Sequence, residues 1–139
     1  MKQITFVAPC FNEVENVGIL YERIVKAFEG LPGYTFDIIF SDNASTDGTV
    51  DVLRKIAAND PRVKVIVNMR NFGPWRSPLH AMHQAEGDGV IVISTDLQDP
   101  PEMVAQFVEK WEAGYKIVLA EKIKTADSLI MGQLRKTYY

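Results

Sequence analysis

The segment Val90–Glu102, with the sequence VIVISTDLQDPPE, constrains the fold more than any other part of the chain. Its apolar residues predict a buried strand, and Asp96, Gln98 and Asp99 follow directly after it. In open α/β sheets, ligands bind outside the carboxyl ends of the strands. Carboxylate and amide oxygens at that edge suit a hard divalent cation that carries a diphosphate. The segment therefore predicts a nucleotide-sugar site on a parallel sheet.

Composition limits the class of protein. The 139 residues are enough for one globular domain but not comfortably for two, so we expect a single domain over residues 1–139. The formal net charge is −3 with scattered lysines and arginines, which argues against nucleic acid as a partner. The single cysteine, Cys10, cannot form an internal disulfide, and the sequence has no signal peptide or apolar run of membrane-spanning length. We therefore expect a soluble, cytoplasmic domain.

Short apolar runs alternate with segments of helical period, a pattern that predicts βαβ units and a mostly parallel sheet with helices on its faces. Five strands are predicted: Ile4–Pro9, Phe36–Ser41, Val63–Asn68, Val90–Thr95 and Lys116–Ala120. Helices are predicted around Val17–Phe28, Thr49–Ala58, Ser77–Glu86 with Pro78 at its start, and Val104–Trp111. A last apolar stripe in Ala126–Tyr139 has nothing after it to pack against, so we expect the domain to be incomplete at its C-terminus.

The first strand is followed by Pro9-Cys10-Phe11-Asn12-Glu13. Pro9 would fix the backbone and leave a carbonyl free, Phe11 offers a ring, and Glu13 offers an acceptor for a nucleobase. Asn12 fits a second role equally well, because Glu15 stands three residues later as in a helix capping box.

The second strand ends in Ser41-Asp42-Asn43 and runs into Ala44-Ser45-Thr46-Asp47-Gly48-Thr49. The later residues are expected to form a turn and cap the next helix. Asp42 or Asn43 could grip a base edge or a ribose hydroxyl. For Asp42 we favour binding, since a carboxylate at that position is not needed for the turn.

Arg70-Asn71-Phe72-Gly73 follows the third strand. Arg70 could pair bidentately with a diphosphate or brace the loop through a salt bridge, and the sequence favours neither. Trp75 and Arg76 fit either an acceptor site or a packed loop. His80 and His83 lie three residues apart, but no further Cys or His accompanies them, so a zinc site is not expected.

Asp99-Pro100-Pro101-Glu102 has the features of a helix start, with Asp99 as the expected cap. Asp96 and Gln98 precede that cap and have no comparable structural role. We therefore assign them to the cation.

The motifs PCFNE, SDNASTDGT, RNFG and DLQDPPE, in this order and spacing, resemble those of the family 2 glycosyltransferases of GT-A fold, and most closely the polyprenyl-phosphate (dolichol-phosphate mannose synthase-like) sugar transferases. The resemblance runs from Ile4 to about Ala120. It implies a three-layer α/β/α domain of the nucleotide-diphospho-sugar transferase type.

The resemblance also implies roles for individual residues. Pro9, Phe11 and Glu13 match the family's first nucleotide-contacting segment, in which a tyrosine usually stands at the position of Phe11. Asp42 and Asn43 match a pair that is usually Asp-Asp. The resemblance and the motif positions together give one set of nucleotide-sugar-binding residues: Pro9, Phe11, Glu13, Ser41, Asp42, Asn43, Arg70, Thr95 and Asp96.

The family's metal motif, usually Asp-x-Asp, here has the sequence Ser94-Thr95-Asp96, with the family's usual Gln at Gln98. The resemblance therefore implies Asp96 and Gln98 as the metal ligands and Mg²⁺ or Mn²⁺ as the cofactor. Because one carboxylate is missing, we expect weaker metal affinity and a metal that binds mainly together with the nucleotide-sugar.

The implied reaction is inverting displacement at the anomeric carbon of a nucleotide-diphosphate sugar, with a polyprenyl phosphate or growing glycan as acceptor. The family's general base lies later than this chain extends, and Lys122 is a weak candidate for a phosphate contact. Two hypotheses remain. The chain is either the donor-binding half of a glycosyltransferase that acts at the inner face of the plasma membrane, or a catalytically silent nucleotide-sugar-binding module completed by a partner or by self-association. A flavodoxin-like or dinucleotide-binding domain is disfavoured, since no G-x-G-x-x-G turn follows the first strand.

Overall fold

A computed structural model of the chain describes residues 1–121. The chain divides into two compact units, residues 1–106 and residues 107–139. The predicted helix in Ala126–Tyr139 and the candidate Lys122 lie outside the described residues. The expectation of one domain over residues 1–139 stays a prediction.

The first unit is built on a sheet of four parallel strands in the order β3-β2-β1-β4. The strands are β1 (Lys2–Cys10), β2 (Tyr34–Asp42), β3 (Val63–Val67) and β4 (Gly89–Val92). The helices are α1 (Val17–Glu29), α2 (Thr49–Asn59), α3 (Gly73–Met82) and α4 (Val104–Glu112), with a 3₁₀ turn, Pro101–Met103, directly before α4. Four of the five predicted strands and the predicted parallel pairing are confirmed.

The order of the strands places the helices in two layers. The chain moves from β1 to β2 to β3 in one direction and then returns past β1 to β4. Because parallel crossovers are right-handed, α1 and α2 cover one face of the sheet and α3 covers the other. The predicted α/β/α architecture is therefore confirmed.

Apolar residues fill both faces of the two central strands. On the α1 face, Phe28 packs edge-on against Phe6, with ring centroids 5.9 Å apart, and against Phe36 at 4.6 Å. On the α3 face, Val7, Ile39 and Ala81 form a buried cluster. These contacts fix the central strands, whose carboxyl ends carry the candidate site.

Some of the predictions about secondary structure are wrong. The predicted strand Lys116–Ala120 is irregular, and Ile117 and Leu119 are 78% and 87% exposed. A short apolar run becomes a strand only where its backbone groups find a partner strand, and none pairs with it among residues 1–121.

The helix expected to start at Pro78 starts at Gly73 instead. Pro74 occupies its first turn, where a proline costs no hydrogen bond, and Pro78 lies inside the helix.

The third correction concerns the start of α4. Asp99 does not cap a helix, since the 3₁₀ turn follows Pro100 without a side-chain cap. Glu102 does not close a capping box either. Its carboxylate accepts two hydrogen bonds from the Arg23 guanidinium, at 2.8 and 2.7 Å, and this pairing lowers the pKa of Glu102.

Candidate functional site

The carboxyl ends of β1, β2 and β4 form one rim of the sheet. Cys10 pairs with Asp42 across β1 and β2, and Val7 pairs with Val92 across β1 and β4. The three following loops therefore start side by side, as the sequence predicted. The loop after β3 joins the same rim, since the backbone N–H of Asn68 donates to the backbone carbonyl of Asp42 at 2.9 Å.

The first two loops are joined by reciprocal bonds at Asn12. Its backbone N–H donates to the Ser45 hydroxyl at 2.8 Å, and its side-chain oxygen accepts the Thr46 N–H at 2.9 Å. Asn12 also has a positive φ of 56°. It therefore does not cap α1, whose N-cap is Asn16, and the capping prediction for Asn12 is wrong.

A second pair of bonds joins the same loops. The Glu13 N–H donates to the Thr49 hydroxyl at 2.9 Å, and the Val14 N–H donates to the Asp47 carboxylate at 3.1 Å. Asp47 also accepts the Thr49 N–H at 3.0 Å. The Thr49 hydroxyl, followed by these amides, lowers the pKa of Asp47. Sequence reasoning gave Asp47 and Thr49 a local turn role and missed that they hold the neighbouring loop.

Pro9 and Phe11 have different surroundings. The Pro9 carbonyl accepts the Thr95 hydroxyl at 3.0 Å, so the expectation that this carbonyl is free is wrong. Thr95 is buried and links the ends of β1 and β4. The Phe11 side chain is 47% exposed at the rim, where its ring is accessible to a flat ligand. The Glu13 carboxylate is half-buried and accepts the Asn16 side-chain amide at 2.6 Å.

Asp42 is completely buried. One carboxylate oxygen accepts the Ser45 N–H at 3.0 Å, which makes Asp42 part of the turn. The argument that the turn does not need Asp42 is therefore wrong.

Cys10 lies beside Asp42 at the end of β1. Burial, and then the charges of Asp42, Glu13 and Asp47, raise the pKa of the Cys10 thiol well above its usual range, so Cys10 stays protonated and is no nucleophile.

Asn43 uses its whole side chain to hold the loop after β3. Its side-chain oxygen accepts the backbone N–H of Phe72 at 2.9 Å and the side-chain amide of Asn68 at 3.3 Å. Its side-chain nitrogen donates to the side-chain oxygen of Asn71 at 2.8 Å and to the Gly73 carbonyl at 3.3 Å. This pattern satisfies the donor and acceptor capacity of an amide. Asn43 therefore places the loop that carries Arg70.

Ser41 belongs to the same buried polar cluster. Its hydroxyl lies 2.9 Å from the Ser77 hydroxyl, which also accepts the Asn68 amide at 2.8 Å. Ser41 and Ser77 are both buried. The cluster fixes the start of α3 against the end of β2.

Arg70 is exposed at the rim. Its guanidinium carbon lies 4.8 Å from the centre of the Phe72 ring, a cation–π contact. None of the carboxylates of residues 1–121 pairs with it, so the described structure favours an available guanidinium over a bracing salt bridge. Trp75 is 85% exposed, which rules out the packed-loop alternative for this residue within the described part of the chain.

The loop after β4 carries the predicted cation ligands. Asp96 and Gln98 are both exposed, and one Asp96 oxygen accepts the Gln98 backbone N–H at 3.0 Å. Between them Leu97 has a positive φ of 61°, which costs a non-glycine residue energy and turns the loop sharply. Asp99 closes this loop by accepting the Ser94 N–H at 3.3 Å.

The donor set fits a cation only in part. Within residues 1–121, no three Cys, His, Asp or Glu residues are arranged to hold a metal ion. His80 and His83 are therefore not part of such a group in the described residues. A carboxylate oxygen of Asp96 and the amide oxygen of Gln98 suit Mg²⁺ or Mn²⁺ if phosphate and water complete the coordination. The described structure is thus consistent with a cation that arrives with its phosphate ligand.

The fold places the chain among the open α/β domains, whose ligand sites lie outside the carboxyl ends of the strands. The solved mannosyltransferase of Pyrobaculum calidifontis, in complex with GDP-Man and Mn²⁺, has a TM-score of 0.67 to this chain. The two share 21% identity, and the match covers 84% of this chain and 34% of that one. This likeness confirms the GT-A fold.

The family model for glycosyl transferase family 2 matches residues 5–129, and the chain belongs to this family. The prophage bactoprenol glucosyl transferase homolog of Escherichia coli K12 is 37% identical over 134 residues, covering 96% of this chain and 42% of the relative. The putative glycosyltransferase CsbB of Bacillus subtilis 168 is 34% identical over 141 residues, covering 100% of this chain and 43% of the relative.

The expected resemblance to the family and to its polyprenyl-phosphate branch is therefore confirmed. The chain spans about four tenths of the length of these relatives, 42% and 43%. In the described residues, no helix combines the length and the apolar character that crossing a bilayer requires.

Proposed function

We propose that this chain is the donor-binding part of a glycosyltransferase that moves a sugar from a nucleotide-diphosphate sugar to a polyprenyl phosphate. Support comes from the family and from the relative described as a bactoprenol glucosyl transferase homolog. The observation that carries the proposal is the rim, where an exposed ring, guanidinium and carboxylate surround a hydrogen-bonded framework. Phe11, Arg70 and Asp96 supply these three groups.

The candidate residues divide by exposure into two groups. The exposed side chains of Phe11, Arg70 and Asp96 would touch the donor: the ring stacks on the base, the guanidinium pairs with the diphosphate, and the carboxylate holds the cation with Gln98. The remaining candidates are buried or half-buried and position the loops: Pro9, Glu13, Ser41, Asp42, Asn43 and Thr95.

In the proposed reaction, an acceptor phosphate oxygen forms a bond to the anomeric carbon while the bond from that carbon to the diphosphate breaks on the opposite side. The acceptor phosphate is already anionic, so it can attack without much help from a general base. A bound divalent cation would stabilise the negative charge that develops on the leaving nucleoside diphosphate. Arg70 would stabilise the same charge from the loop after β3.

The test is a thermal-shift titration with UDP-, GDP- and CDP-sugars, each with and without Mn²⁺. A donor at about 100 times its Kd stabilises the folded state by about 2.7 kcal/mol. For a domain of this size, that raises the Tm by about 5–10 °C. We expect one nucleotide to shift the Tm strongly, and more so with Mn²⁺.

Asp96→Asn should remove the Mn²⁺-dependent part of the shift, because the amide loses the charge but keeps the shape and the oxygen that accepts the Gln98 N–H. Glu29→Gln is the matched control, since it removes one exposed carboxylate at the far end of α1. An unchanged Mn²⁺ effect in Asp96→Asn would refute the assignment of Asp96.

Transfer is tested separately, with radiolabelled donor and polyprenyl phosphate, on this chain and on a longer chain of the relatives' length. Transfer by the longer chain supports the proposal. Donor binding without transfer by either chain would favour the silent binding module, whose specific support is Ser94 at the position of the family's first metal-ligating carboxylate.

A further inference from the structure

The outer face of α3 is apolar. Trp75, Leu79 and Met82 follow one another at steps of four and three residues and so share one side of the helix. They are 85%, 55% and 40% exposed. Ser77 and Ala81 lie on the opposite side and are buried against the sheet. Both sides of α3 thus present small or apolar residues, but only the inner side is covered within residues 1–121.

The apolar surface continues into the loop before α3. Met69 is 96% exposed and Phe72 is 39% exposed. We call Met69, Phe72, Trp75, Leu79 and Met82 together the α3 patch. Since α3 begins at the carboxyl end of β3, the patch starts at the rim and runs away from it along the outside of the α3 layer. Contiguous exposed apolar patches of this kind mark interaction surfaces.

The charge around the α3 patch has one sign. Residues 69–84 contain two arginines, Arg70 and Arg76, and no acidic residue, although the whole chain has a net charge of −3. Arg70 and Arg76 form no salt bridge with any carboxylate of residues 1–121. Within the described residues, Arg76 thus lies beside this aromatic and aliphatic surface without a carboxylate partner, and Arg70 lies at the rim end of the surface, over the Phe72 ring.

We propose that the α3 patch docks on a membrane surface that contains anionic lipids. Tryptophan favours the headgroup level of a bilayer, phenylalanine, leucine and methionine bury in the acyl boundary, and Arg76 would pair with a lipid phosphate while Arg70 serves the donor. A second copy of the chain fits less well, because a symmetric contact through this patch would bring the same arginines together without acidic partners.

Docking has a consequence that rests on the proposed function. A polyprenyl-phosphate acceptor keeps its phosphate at the bilayer surface. Because the α3 patch begins at the rim beside Arg70, docking through the patch would place the donor site next to that surface. The docking itself needs no nucleotide and is measured without one.

The probe is the fluorescence of Trp75, one of two tryptophans in the chain. Trp111→Phe leaves Trp75 as the only reporter, and Trp75→Phe records the background of Trp111. The purified chain is titrated with vesicles of phosphatidylcholine mixed with phosphatidylglycerol, and with vesicles of phosphatidylcholine alone. We expect a blue shift of Trp75 and quenching by brominated lipid with the anionic vesicles only, and weaker binding at higher salt.

Two variants test the chemistry of the patch. Arg76→Gln should weaken binding to anionic vesicles about fivefold, the effect of one arginine near an anionic surface. Leu79→Ser should weaken it by about fivefold or more, since a leucine side chain no longer enters the bilayer.

The matched controls lie on the other layer. Arg54→Gln changes an exposed arginine of α2, and Ile19→Ser changes an α1 side chain that is 47% exposed. Both should leave vesicle binding unchanged.

Three results would overturn the proposal: no blue shift with anionic vesicles, equal losses in the controls, or a Trp75 emission that is already blue-shifted without vesicles and depends on protein concentration. The last result would indicate a second copy as the occupant. Vesicle binding that fails while the donor still raises the Tm leaves the proposed function standing. Vesicle binding without any donor effect refutes the proposed function instead.

Discussion

The two sides of the rim are built differently. The nucleoside side, residues 11–16 and 42–49, is held by side chains that bond to the backbone of the neighbouring loop, as Asn12, Thr49 and Asp47 do. The cation side, residues 94–99, has two bonds within its own loop, from Gln98 to Asp96 and from Ser94 to Asp99, and one bond to the end of β1, from the Thr95 hydroxyl to the Pro9 carbonyl.

This difference predicts different behaviour on binding. A preformed cradle loses little conformational freedom when a ligand enters, so the nucleoside side should contribute affinity without rearrangement. The cation side offers one carboxylate and one amide on a sharply turned loop, and a hard cation needs more ligands than that. Under the proposed function, the fold would prepare the base and ribose site, and the diphosphate would complete the cation site.

The largest expected effect comes from breaking the framework at Asn43. Asn43→Ala removes four hydrogen bonds and leaves the Phe72 N–H and the Asn68 side-chain amide without this partner in a partly buried cluster. We expect the free energy of unfolding to fall by about 2–3 kcal/mol, measured by urea denaturation.

Asn59→Ala is the control for this prediction. Asn59 is exposed and donates one side-chain hydrogen bond, to a carbonyl of its own helix, so its removal should cost less than about 0.5 kcal/mol. If Asn43→Ala costs no more than the control, Asn43 does not hold the loop after β3 in the way the hydrogen bonds indicate.

The sequence predicted the sheet well, because its central strands are buried on both faces and therefore continuously apolar. The predictions Ile4–Pro9 and Phe36–Ser41 fall inside β1 and β2. The edge was less predictable. β4 ends at Val92 and not at Thr95, because Thr95 leaves the ladder and turns its hydroxyl to the Pro9 carbonyl.

The candidate site was predictable in its residue types and not in its hydrogen bonds. Polar residues after parallel strands predict a common rim, and the structure shows that rim. A sequence cannot say whether a polar side chain faces the ligand or a neighbouring loop. The sequence assigns Asp42 and Asn43 to the nucleoside because both follow a parallel strand. In the structure the Asp42 side chain bonds to Ser45, and the Asn43 side chain bonds to the loop after β3. Their contact with a nucleoside stays a prediction.

An added carboxylate tests the cation side. Ser94→Asp would supply the carboxylate that the family's usual motif has, two residues before Asp96. We expect Mn²⁺ affinity without nucleotide to rise about tenfold, or about 1.4 kcal/mol, because ligand charge and number set the affinity of hard cations. Isothermal titration calorimetry with Mn²⁺ measures it.

Thr46→Asp is the matched control, since it adds the same charge at an exposed position on the nucleoside side. An equal gain in both variants would mean that Mn²⁺ responds to the charge of the rim and not to a site at Asp96.

The smallest expected effect is a pH dependence on the nucleoside side. Hydrogen bonds from Thr49 and Val14 lower the pKa of Asp47 in the folded chain, so the folded state favours the ionised carboxylate. The stability that these bonds contribute is therefore present above the ordinary aspartate pKa of about 4 and is lost as the pH falls through the lower, folded value. Asp47→Asn should be less stable than the unmodified chain at pH 6, and the difference should shrink below about pH 4.

Thr49→Val separates this effect from general acid unfolding, because it removes the hydroxyl that contributes most to the lowered pKa of Asp47. In that background, Asp47→Asn should change stability less and with a weaker dependence on pH, measured by urea denaturation at both pH values. A pH-independent difference between Asp47→Asn and the unmodified chain would show that the Asp47 charge does not hold the first loop. The neutral bonds at Asn12 and Thr49 would then be the ones that join the two loops of the nucleoside side.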